Sequence, residues 1–541
     1  MMKLNILKTY LPLIALIGVS SCTSDFKDIN SEYANVTDGV LQADFTGLVN
    51  RLNQAQRNII YQTDYMYQLQ NNLNSDFYSG YFSTATGGWN WNNNYFMNSG
   101  WNEWIMKNQL EEAMQRYVDF EETQKKLYPN VDFKGSYAVF NIIKVLSSAV
   151  VSDKHGPVIY SKFGKSNPDY SVDYDSQQDA YKYFMQDLSK DIEALQSNLG
   201  VEDKAVIQKS DAIFNGTALS WAKFANSLKL RLAMRMSYAD PAASRKYAEE
   251  ALNSPVGLID NNSQNALARY GAISPVYVVI FNYGDSKSGA SLTSYLNGYN
   301  DPRISSYITK ATDPSVKDQY AGVRLGIDLG GSKDRYGNFS NNIAQSAYGD
   351  YFSQSNGQAK LFTAAESWFL KAEAALRGYA GAGDAKTNYE KGVQTSLDEW
   401  GKSGAYSTYI NDATSTQQPY TDPKNATNSV AAGDPVLSTI TIKWNDADSF
   451  ERKLERIITQ KWIALYPDGS EAWAEQRRTG YPKILPNIIN NSQGTISTKD
   501  FIRRIPIPLK YRENNGPGYQ RAAATLGGPD TGGTKLWWDK K

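Results

Sequence analysis

The sequence predicts a mostly α-helical fold that also contains a large loop-rich part. Along residues 214–232 the apolar side chains are spaced by four, three, four, three and four positions, which is the pattern of one face of an amphipathic helix. Residues 365–376 show the same spacing and are followed by Gly378, a typical helix end. Residues 255–360 and 403–450, by contrast, are rich in polar, Gly and Tyr residues and show no clear period. We therefore predict a helical scaffold with two long irregular insertions.

Other helices are predicted from the same kind of periodicity. They are expected near residues 44–74, 101–127, 135–151, 176–198 and 451–466, and a further one is expected to follow Pro241 and to run through Tyr247 and Leu252.

Two segments have the spacing of tetratricopeptide helix pairs. Residues 221–228 place Trp, Phe, Ala and Leu as the first helix of that repeat does, and residues 385–392 place Ala, Tyr and Gly as its second helix does. Small residues allow two helices to approach closely, and an aromatic side chain then fills the space between them. Because no strict repeat of about 34 residues holds, we predict a degenerate helical-repeat scaffold and not a regular solenoid.

The composition excludes several classes of function. The 541 residues include 56 Lys plus Arg and 56 Asp plus Glu, and this balance argues against nucleic acid as the main partner. One Cys and one His rule out a disulfide framework and a Cys/His zinc site, and they leave only His155 for Ser-His-Asp or Cys-His chemistry. The 37 Tyr and 12 Trp, with many Asn and Gln, are typical of a surface that binds neutral polar ligands by stacking and hydrogen bonding.

The N-terminus has the features of an exported lipoprotein. Lys3 and Lys8 give residues 1–21 a positive start, and the apolar run that follows is too short to span a bilayer. Residues 19–22 (VSSC) resemble a bacterial lipobox, so we predict cleavage before Cys22 and lipid attachment to its thiol and new amine. The predicted division is a signal peptide at 1–21, a lipid-anchored polar tether at 22–43 and a water-soluble binding domain at 44–541.

Four segments of the body resemble one family of bacterial lipoproteins. They are residues 216–237 (GTALSWAKFANSLKLRLAMRMS), 296–303 (LNGYNDPR), 364–378 (AAESWFLKAEAALRG) and 458–482 (ITQKWIALYPDGSEAWAEQRRTGYP). Near the C-terminus, residues 503–506 (RRIP) and 536–539 (LWWD) fit the same family pattern. Together these segments are similar to the SusD/RagB family of outer-membrane nutrient-binding lipoproteins, of the SusD-like type.

The resemblance implies an architecture, a partner and an activity. The expected fold is a SusD-like α-helical body with four tetratricopeptide-like helix pairs and a loop-rich ligand-binding part. The expected partner is a SusC-like TonB-dependent transporter in the outer membrane, which the lipoprotein covers as a lid on the cell surface. The expected activity is capture of an oligosaccharide or polysaccharide and its delivery to the transporter, without catalysis and without a cofactor or metal. In some members of the family the ligand is a peptide.

The best candidate for the ligand site is the stretch 89–95. Trp89 and Trp91 supply flat apolar rings that can pack against the C–H face of a sugar, and Asn93 can exchange hydrogen bonds with its hydroxyl groups. Tyr95 adds a further aromatic ring. In SusD-like proteins an aromatic residue and an Asn of this early loop often contact the glycan. The resemblance therefore implies a ligand contact in this region of the chain, but it does not assign the contact to particular residues. The alternative interpretation is that these rings anchor the loop into the body.

Other residues receive weaker predictions. Further ligand contacts are predicted at Tyr283, Tyr336, Tyr348 and Tyr351 in the irregular region. Core packing is predicted for Trp221, Trp368, Trp462 and Trp473, because they lie in motif helices or beside them. Structural roles are predicted for Arg477 and Arg478, which we expect to bind Glu471 or helix-end carbonyls, and for His155, which we expect to be a packed loop residue.

The search for catalytic and metal-binding motifs finds little. GIDLGGS at 326–332 is followed by Lys333, so the Lys-Ser/Thr order of a P-loop is not met, and no nucleophile elbow or zinc-protease motif occurs. Asp446, Asp448 and Glu451 lack the spacing of an EF-hand loop. We interpret them as a solvated helix start with Asp448 or Ser449 as the N-cap.

The leading hypothesis is therefore capture of a complex glycan by a surface lipoprotein. Three alternatives stay open: peptide capture by the same scaffold, a surface glycosidase with paired carboxylates, and a purely structural lid with no ligand preference of its own.

Overall fold

The computed structural model describes residues 37–87, 92–97 and 99–541 of the chain. α-Helices dominate it and strands are few, which confirms the predicted class. In chain order the α-helices are α1 (Asp38–Gln42), α2 (Thr46–Arg57), α3 (Asp64–Tyr67), α4 (Arg116–Leu127), α5 (Lys134–His155), α6 (Gln177–Gln196), α7 (Val201–Ser210), α8 (Ala218–Arg235), α9 (Pro241–Leu252), α10 (Pro275–Tyr277), α11 (Ala290–Gly298), α12 (Ile304–Tyr307), α13 (Ala364–Leu376), α14 (Ala385–Glu399), α15 (Tyr406–Ile410), α16 (Phe450–Leu465), α17 (Gly469–Thr479), α18 (Leu509–Asn514) and α19 (Gly516–Ala523).

Shorter elements complete the fold. π-Helical turns follow α3 (Gln68–Asp76), precede α4 (Asn108–Gln115) and follow α10 (Val278–Asn282). Short 3₁₀ turns lie at Ala43–Phe45, Asn92–Asn94, Ser99–Asn102, Asn262–Gln264, Lys333–Arg335, Ser403–Ala405 and Ala426–Asn428. The strands are β1 (Phe82–Thr84), β2 (Ala266–Arg269), β3 (Ser286–Ser288) and β4 (Gln358–Phe362), and they form two antiparallel pairs, β1 with β3 and β2 with β4. The β1–β3 pair joins the early aromatic segment to the irregular region.

Side-chain caps explain where many of the helices begin. In α6, α8, α9, α14, α16 and α17 the N-cap side chain accepts a hydrogen bond from the backbone N–H three residues later; these caps are Ser176, Thr217, Asp240, Asp384, Ser449 and Asp468. Ser449 is one of the two caps predicted for α16. The neighbouring Asp448 accepts hydrogen bonds from Arg452 and Arg456, so this acidic segment serves as a helix start.

The helices of the scaffold pack against one another in pairs. α5 packs on α6, α6 on α8, α8 on α9, and α13 on both α14 and α16. The sequence predicts that small residues let α13 and α14 approach closely, and Gly392 shows this. A Cβ atom at that position would lie only 2.9 Å from the ring of Phe369, so a larger residue would not fit without a shift. Tyr389 is buried in the same contact, with its ring centroid 6.3 Å from that of Phe369. A small residue and an aromatic filler therefore set the spacing of this pair.

Two large hydrophobic clusters form the interior. One gathers side chains from α2 and α4–α9, including Trp221, and the other gathers side chains from α11, α13, α14, α16 and α17, including Trp462. Helix α13 lies between them, because Leu370 belongs to the first cluster and Phe369 to the second. The helical scaffold and the irregular region are thus packed into one continuous body.

Two predicted helical stretches are shorter than the sequence suggests. The stretch 44–74 is divided, because α2 ends at Arg57 and α3 starts only at Asp64. The C-cap of α2 is Asn58, and Asn is a residue type that is disfavoured inside a helix. The side chain of Asn58 instead donates a hydrogen bond to Glu112. The stretch predicted at 101–127 becomes a continuous helical run only from Asn108.

The segment before residue 44 includes part of the body. Residues 38–42, which we predicted to belong to the tether, form α1 and contact α4. Asp38 pairs with Lys126 at 2.6 Å, and the Tyr128 hydroxyl donates to the carbonyl of Gln42. Among the described residues one helix, α5, is long and apolar enough to cross a membrane, and 78% of its most apolar stretch is buried inside the protein. α5 is therefore a core helix of this body.

Candidate ligand-binding face

The segments that carry the family resemblance meet in the interior of the protein. Charged side chains from α8, α13, α16 and α17 form a single buried ion network, which we call the ion network. Its members are Arg231, Arg235, Glu366, Glu373, Lys461, Glu471, Glu475 and Arg478. The network connects helices that are distant in the chain, so it holds together the scaffold from which the surface loops project.

Each acid in the ion network is matched by a nearby base. Arg235 Nη2 lies 2.6 Å from Glu471 Oε2, and Arg478 Nη2 lies 2.6 Å from Glu373 Oε2. Burial would raise the pKa of Glu471, but the charges of Arg235 and the neighbouring bases outweigh it and hold that pKa below its ordinary value. These carboxylates are therefore paired with buried bases inside the protein.

Arg477 is also buried, but it forms no ion pair within the described residues. Its Nη1 donates to the carbonyls of Asp153 and Arg503, at 2.7 and 2.8 Å. Its guanidinium carbon lies 3.5 Å from the ring centroid of Trp473 and 5.0 Å from that of Trp538. Burial lowers the pKa of Arg477 to about 9. Arg477 and Arg478 thus have structural contacts, and the carbonyl of Asp153 is the type of helix-end partner that we predicted.

A cluster of aromatic side chains reaches the surface where α3 meets α10. We call it the aromatic face, and its members are Tyr65, Trp104, Tyr277, Phe281 and Tyr283. The rings of Tyr65 and Trp104 meet edge to face with centroids 5.4 Å apart, and those of Tyr277 and Phe281 are 4.9 Å apart. Tyr65, Phe281 and Tyr283 are exposed. An exposed group of rings of this kind is suited to stacking on a ligand.

Polar contacts hold Tyr283 in this cluster. Its hydroxyl donates to Asp64 Oδ2 at 2.9 Å, and this hydrogen bond raises the pKa of the phenol. Lys333 Nζ donates to the carbonyl of Tyr283 at 2.9 Å and pairs with Asp285 at 2.6 Å. The ring of Tyr283 is therefore fixed in position and 39% exposed.

The strongest predicted ligand residues, Trp89 and Trp91, lie outside the described residues, as does the predicted lipid-attachment residue Cys22. The residues on either side of 88–91, Gly87 and Asn92, are described. A Cβ on Gly87 would lie 2.4 Å from the carbonyl oxygen of Gly330, so Gly87 contacts the loop before Lys333.

Asn92, the first described residue after this gap, is held by the body. Its Nδ2 donates to the carbonyl of Leu73 at 2.8 Å, in the π-helical turn that follows α3. Lys333, three residues after Gly330, contacts Tyr283 of the aromatic face.

The two remaining residues predicted in the 89–95 stretch face the interior. Asn93 is 1% exposed, and with Tyr95 and Trp473 it lines a cavity of about 20 Å³, the size that holds one water molecule. Its backbone carbonyl accepts a hydrogen bond from Asn487. Tyr95 is buried as well, and burial raises the pKa of its phenol. These side chains seal the loop against the body, which is the anchoring role that we weighed as the alternative.

Of the four tyrosines predicted as ligand contacts in the irregular region, two are buried and two are exposed. Tyr336 and Tyr351 are fully buried, and their hydroxyls donate to Asp422 and Glu399. Tyr348 is 44% exposed and donates to Asp398 at the end of α14. Of the four, only Tyr283 belongs to the aromatic face.

Sequence reasoning missed four members of the aromatic face, namely Tyr65, Trp104, Tyr277 and Phe281. The spacing of four between Tyr277 and Phe281 could have indicated that they share one side of a short helix. No local signal links Tyr65 with Trp104, because only tertiary packing brings these two segments together.

Two further predictions need correction. Trp368 is only half-buried, and its Nε1 donates to the carbonyl of Asp260 at the surface, so it is not a core residue. His155 is the last residue of α5 and does not lie in a loop. It is fully buried, its Nδ1 is 2.8 Å from the carbonyl of Ile505, and burial lowers its pKa to about 3. Trp221, Trp462 and Trp473 are buried, as predicted.

Comparison with known proteins decides the family. The family model described as SusD-like, "Susd and RagB outer membrane lipoprotein", matches residues 28–539. The chain belongs to the SusD/RagB family. A chitin-binding SusD homolog from Flavobacterium johnsoniae is 34% identical, with a TM-score of 0.82, over 93% of this chain and 99% of that one. A SusD homolog from Bacteroides uniformis is also 34% identical, with a TM-score of 0.81, over 92% of this chain and 99% of that one. No curated protein matches the chain.

The SusD-like chain offers no obvious metal centre in the part that the structure describes. No group of three or more His, Cys, Asp or Glu side chains is arranged there to hold a metal ion. The aromatic face is the candidate site, and its chemistry is stacking and hydrogen bonding.

Proposed function

We propose that this SusD-like protein binds a glycan at the cell surface and passes it to a SusC-like TonB-dependent transporter without altering it chemically. The lipid on Cys22 would hold the protein to the outer membrane. The observation that carries the proposal is the aromatic face, where the rings of Tyr65, Phe281 and Tyr283 are exposed.

The chemistry of this surface suits a saccharide. Sugar rings have C–H faces that pack on phenol and indole rings, and Tyr65, Phe281 and Tyr283 present such rings to solvent. The Flavobacterium johnsoniae homolog is described as chitin-binding. Because that protein is 34% identical to this chain over nearly its whole length, a chitin fragment is the first ligand to test.

The charged groups near the aromatic face favour binding over hydrolysis. A glycosidase needs two carboxyl groups about 5–10 Å apart that are free to act on the glycosidic bond. The carboxylates at this face are Asp64, which accepts from Tyr283, and Asp285, which pairs with Lys333. Both are already engaged, and the pairing of Lys333 with Asp285 leaves few free charges to select a peptide.

Calorimetry of the whole chain, purified from membranes in mild detergent, tests the ligand class. We expect heat with chitohexaose or another glycan and none with a peptide mixture. Replacement of Trp89 and Trp91 by Ala together should weaken glycan binding by about 100-fold, since two stacking contacts are lost.

The matched control is Trp368→Ala, which removes a half-buried Trp from outside the face and should leave the affinity unchanged. Glycan binding that is indifferent to the Trp89/Trp91 replacement would disprove this site. Heat with peptides alone would favour peptide capture, and release of shorter sugars from the bound glycan would favour a glycosidase.

Anchoring and delivery need separate tests. Labelling of cells with a radioactive fatty acid should mark the protein, and Cys22→Ser should remove the label. Purification of the lipoprotein from native membranes should recover a TonB-dependent barrel protein with it. Labelling that survives Cys22→Ser would contradict the lipid site, and the absence of a barrel in the purified material would contradict the transport role.

A further inference from the structure

A second surface groove lies near the C-terminus, on elements that do not contribute to the aromatic face. We call it the C-terminal groove. It has a volume of about 570 Å³ and is lined by the start of α6 at 176–178, by residues 525–527 and by the tail at 534–540. This volume is within the range of about 300–1,000 Å³ that is usual for small-molecule sites. The groove therefore has room for a short ligand.

The tail that forms one wall of the groove is firmly held. Leu536 and Trp538 are buried, and Trp538 Nε1 donates to Asp153 Oδ1 at 2.8 Å. Asp539 is buried as well and is paired with Arg503. Anchors on both sides of residue 537 leave its backbone little freedom, so its side chain is presented in a fixed position.

Trp537 is the aromatic residue of this tail that lines the groove, and it stays partly exposed. Its backbone N–H donates to Gln177 Oε1 at 2.9 Å. Its ring packs against Tyr181 with centroids 5.9 Å apart and an interplanar angle of 57°. An indole braced in this way loses little conformational entropy when a ligand stacks on it.

Three polar groups of the groove have no partner inside the protein. The indole Nε1 of Trp537, the side-chain amide of Gln178 and the ammonium of Lys540 form no hydrogen bond or ion pair within the described residues. These groups can donate hydrogen bonds, and the amide can also accept one. An aromatic ring surrounded by free donors is the combination that recognises a saccharide.

The charges of the groove favour a negatively charged ligand. Lys535 and Lys540 line it and are exposed. The one acidic residue in its wall, Asp539, is neutralised by its ion pair with Arg503. The groove thus carries an excess of positive charge in a protein whose formal net charge is zero.

We propose that the C-terminal groove is a second saccharide-binding site and that it prefers saccharides with acidic groups. Trp537 stacks on a sugar ring, Gln178 and the indole N–H contact its hydroxyl groups, and Lys540 contacts the acidic group. This site is independent of the one proposed at the aromatic face.

Calorimetry on the whole chain with Trp89→Ala/Trp91→Ala isolates this groove. The probes are hexagalacturonate, which is acidic, and chitohexaose, which is neutral. We expect hexagalacturonate to bind this variant and to bind it more tightly than chitohexaose does. Adding Trp537→Ala should weaken hexagalacturonate binding by about tenfold, as expected for one lost stacking contact, and adding Lys540→Ala should reduce the preference for the acidic probe.

Trp368→Ala in the same background is the control for removal of a half-buried Trp, and it should change nothing. Gln178→Ala is a second variant at an exposed residue, so a loss of affinity there does not depend on folding of the tail. The proposal is overturned if hexagalacturonate fails to bind the Trp89→Ala/Trp91→Ala protein, or if the affinity is the same with Trp537 and without it. Equal affinity for both probes would overturn the acidic preference. The change in affinity caused by Trp537→Ala does not depend on whether Trp89 and Trp91 bind a glycan.

Discussion

The side chains of the ion network bind one another inside the protein, whereas several rings of the aromatic face are exposed to solvent. In the network Arg235 is fully buried and is bound by two carboxylates, Glu471 and Glu475. At the aromatic face the rings of Tyr65 and Phe281 are exposed. A buried charge that is paired within the protein contributes to its stability. An exposed aromatic ring has a free surface on which a ligand can pack. Perturbation of the network should therefore change stability, and perturbation of the face should change binding.

The largest effect is expected from Arg235→Ala. This change leaves Glu471 and Glu475 buried with fewer positive partners, and breaking a buried pair costs about 3–5 kcal/mol of the free energy of unfolding. Urea unfolding followed by circular dichroism measures it. Lys125→Ala, which removes an exposed i,i+4 pair with Glu121, is the control and should cost less than about 1 kcal/mol. If the two variants lost similar free energies of unfolding, the buried ion pairs would stabilise the protein no more than exposed pairs do, and the prediction would be wrong.

The buried His155 should make stability depend on pH. Its folded-state pKa of about 3 lies below the ordinary value of 6.5, so below pH 6.5 the unfolded chain takes up a proton that the native chain does not. The contribution of this group to stability is therefore lost as the pH falls from about 6.5 towards 3. Between pH 7 and pH 4 the loss amounts to up to about 3 kcal/mol.

His155→Asn isolates this contribution. Other buried acids titrate in both chains, so the difference between the two stability profiles reports the imidazole alone. We expect the free energies of unfolding of the two chains to converge as the pH is lowered from 7 to 4. Parallel profiles would show that His155 takes up its proton equally in the folded and unfolded states.

Tyr283→Ala should have its main effect on binding. It removes an exposed ring and one hydrogen bond to Asp64, and we expect glycan affinity to fall by about tenfold. The free energy of unfolding should change by less than about 1 kcal/mol, as is usual for exposed positions. Calorimetry and urea unfolding on the same sample separate these two quantities. A large loss of stability with unchanged affinity would reverse our assignment of this residue.

The smallest effect is expected from Tyr348→Ala. Tyr348 is as exposed as Tyr283, but its contact is with Asp398 and not with the aromatic face. Its removal should leave both glycan affinity and stability nearly unchanged. A loss of affinity equal to that of Tyr283→Ala would extend the ligand site beyond the face that we define.

The sequence was sufficient for several of the helices and for the family. Apolar spacing placed α8, α13 and the start of α14 correctly, and the polar residues before α16 predicted the cap that Ser449 provides. These features are local, because a helix face and a cap involve residues only three or four positions apart. The motif segments were recognisable because each is continuous in the chain.

Which of the polar and aromatic residues point inwards was decided only by the tertiary structure. Tyr336 and Tyr283 are each followed directly by Gly, yet one is buried against Asp422 and the other is exposed beside Asp64. The same holds for the ion network, where Arg235 bonds to Glu475 across 240 positions of the chain. Side-chain burial depends on which distant segment covers a residue, and local spacing carries no information about that neighbour.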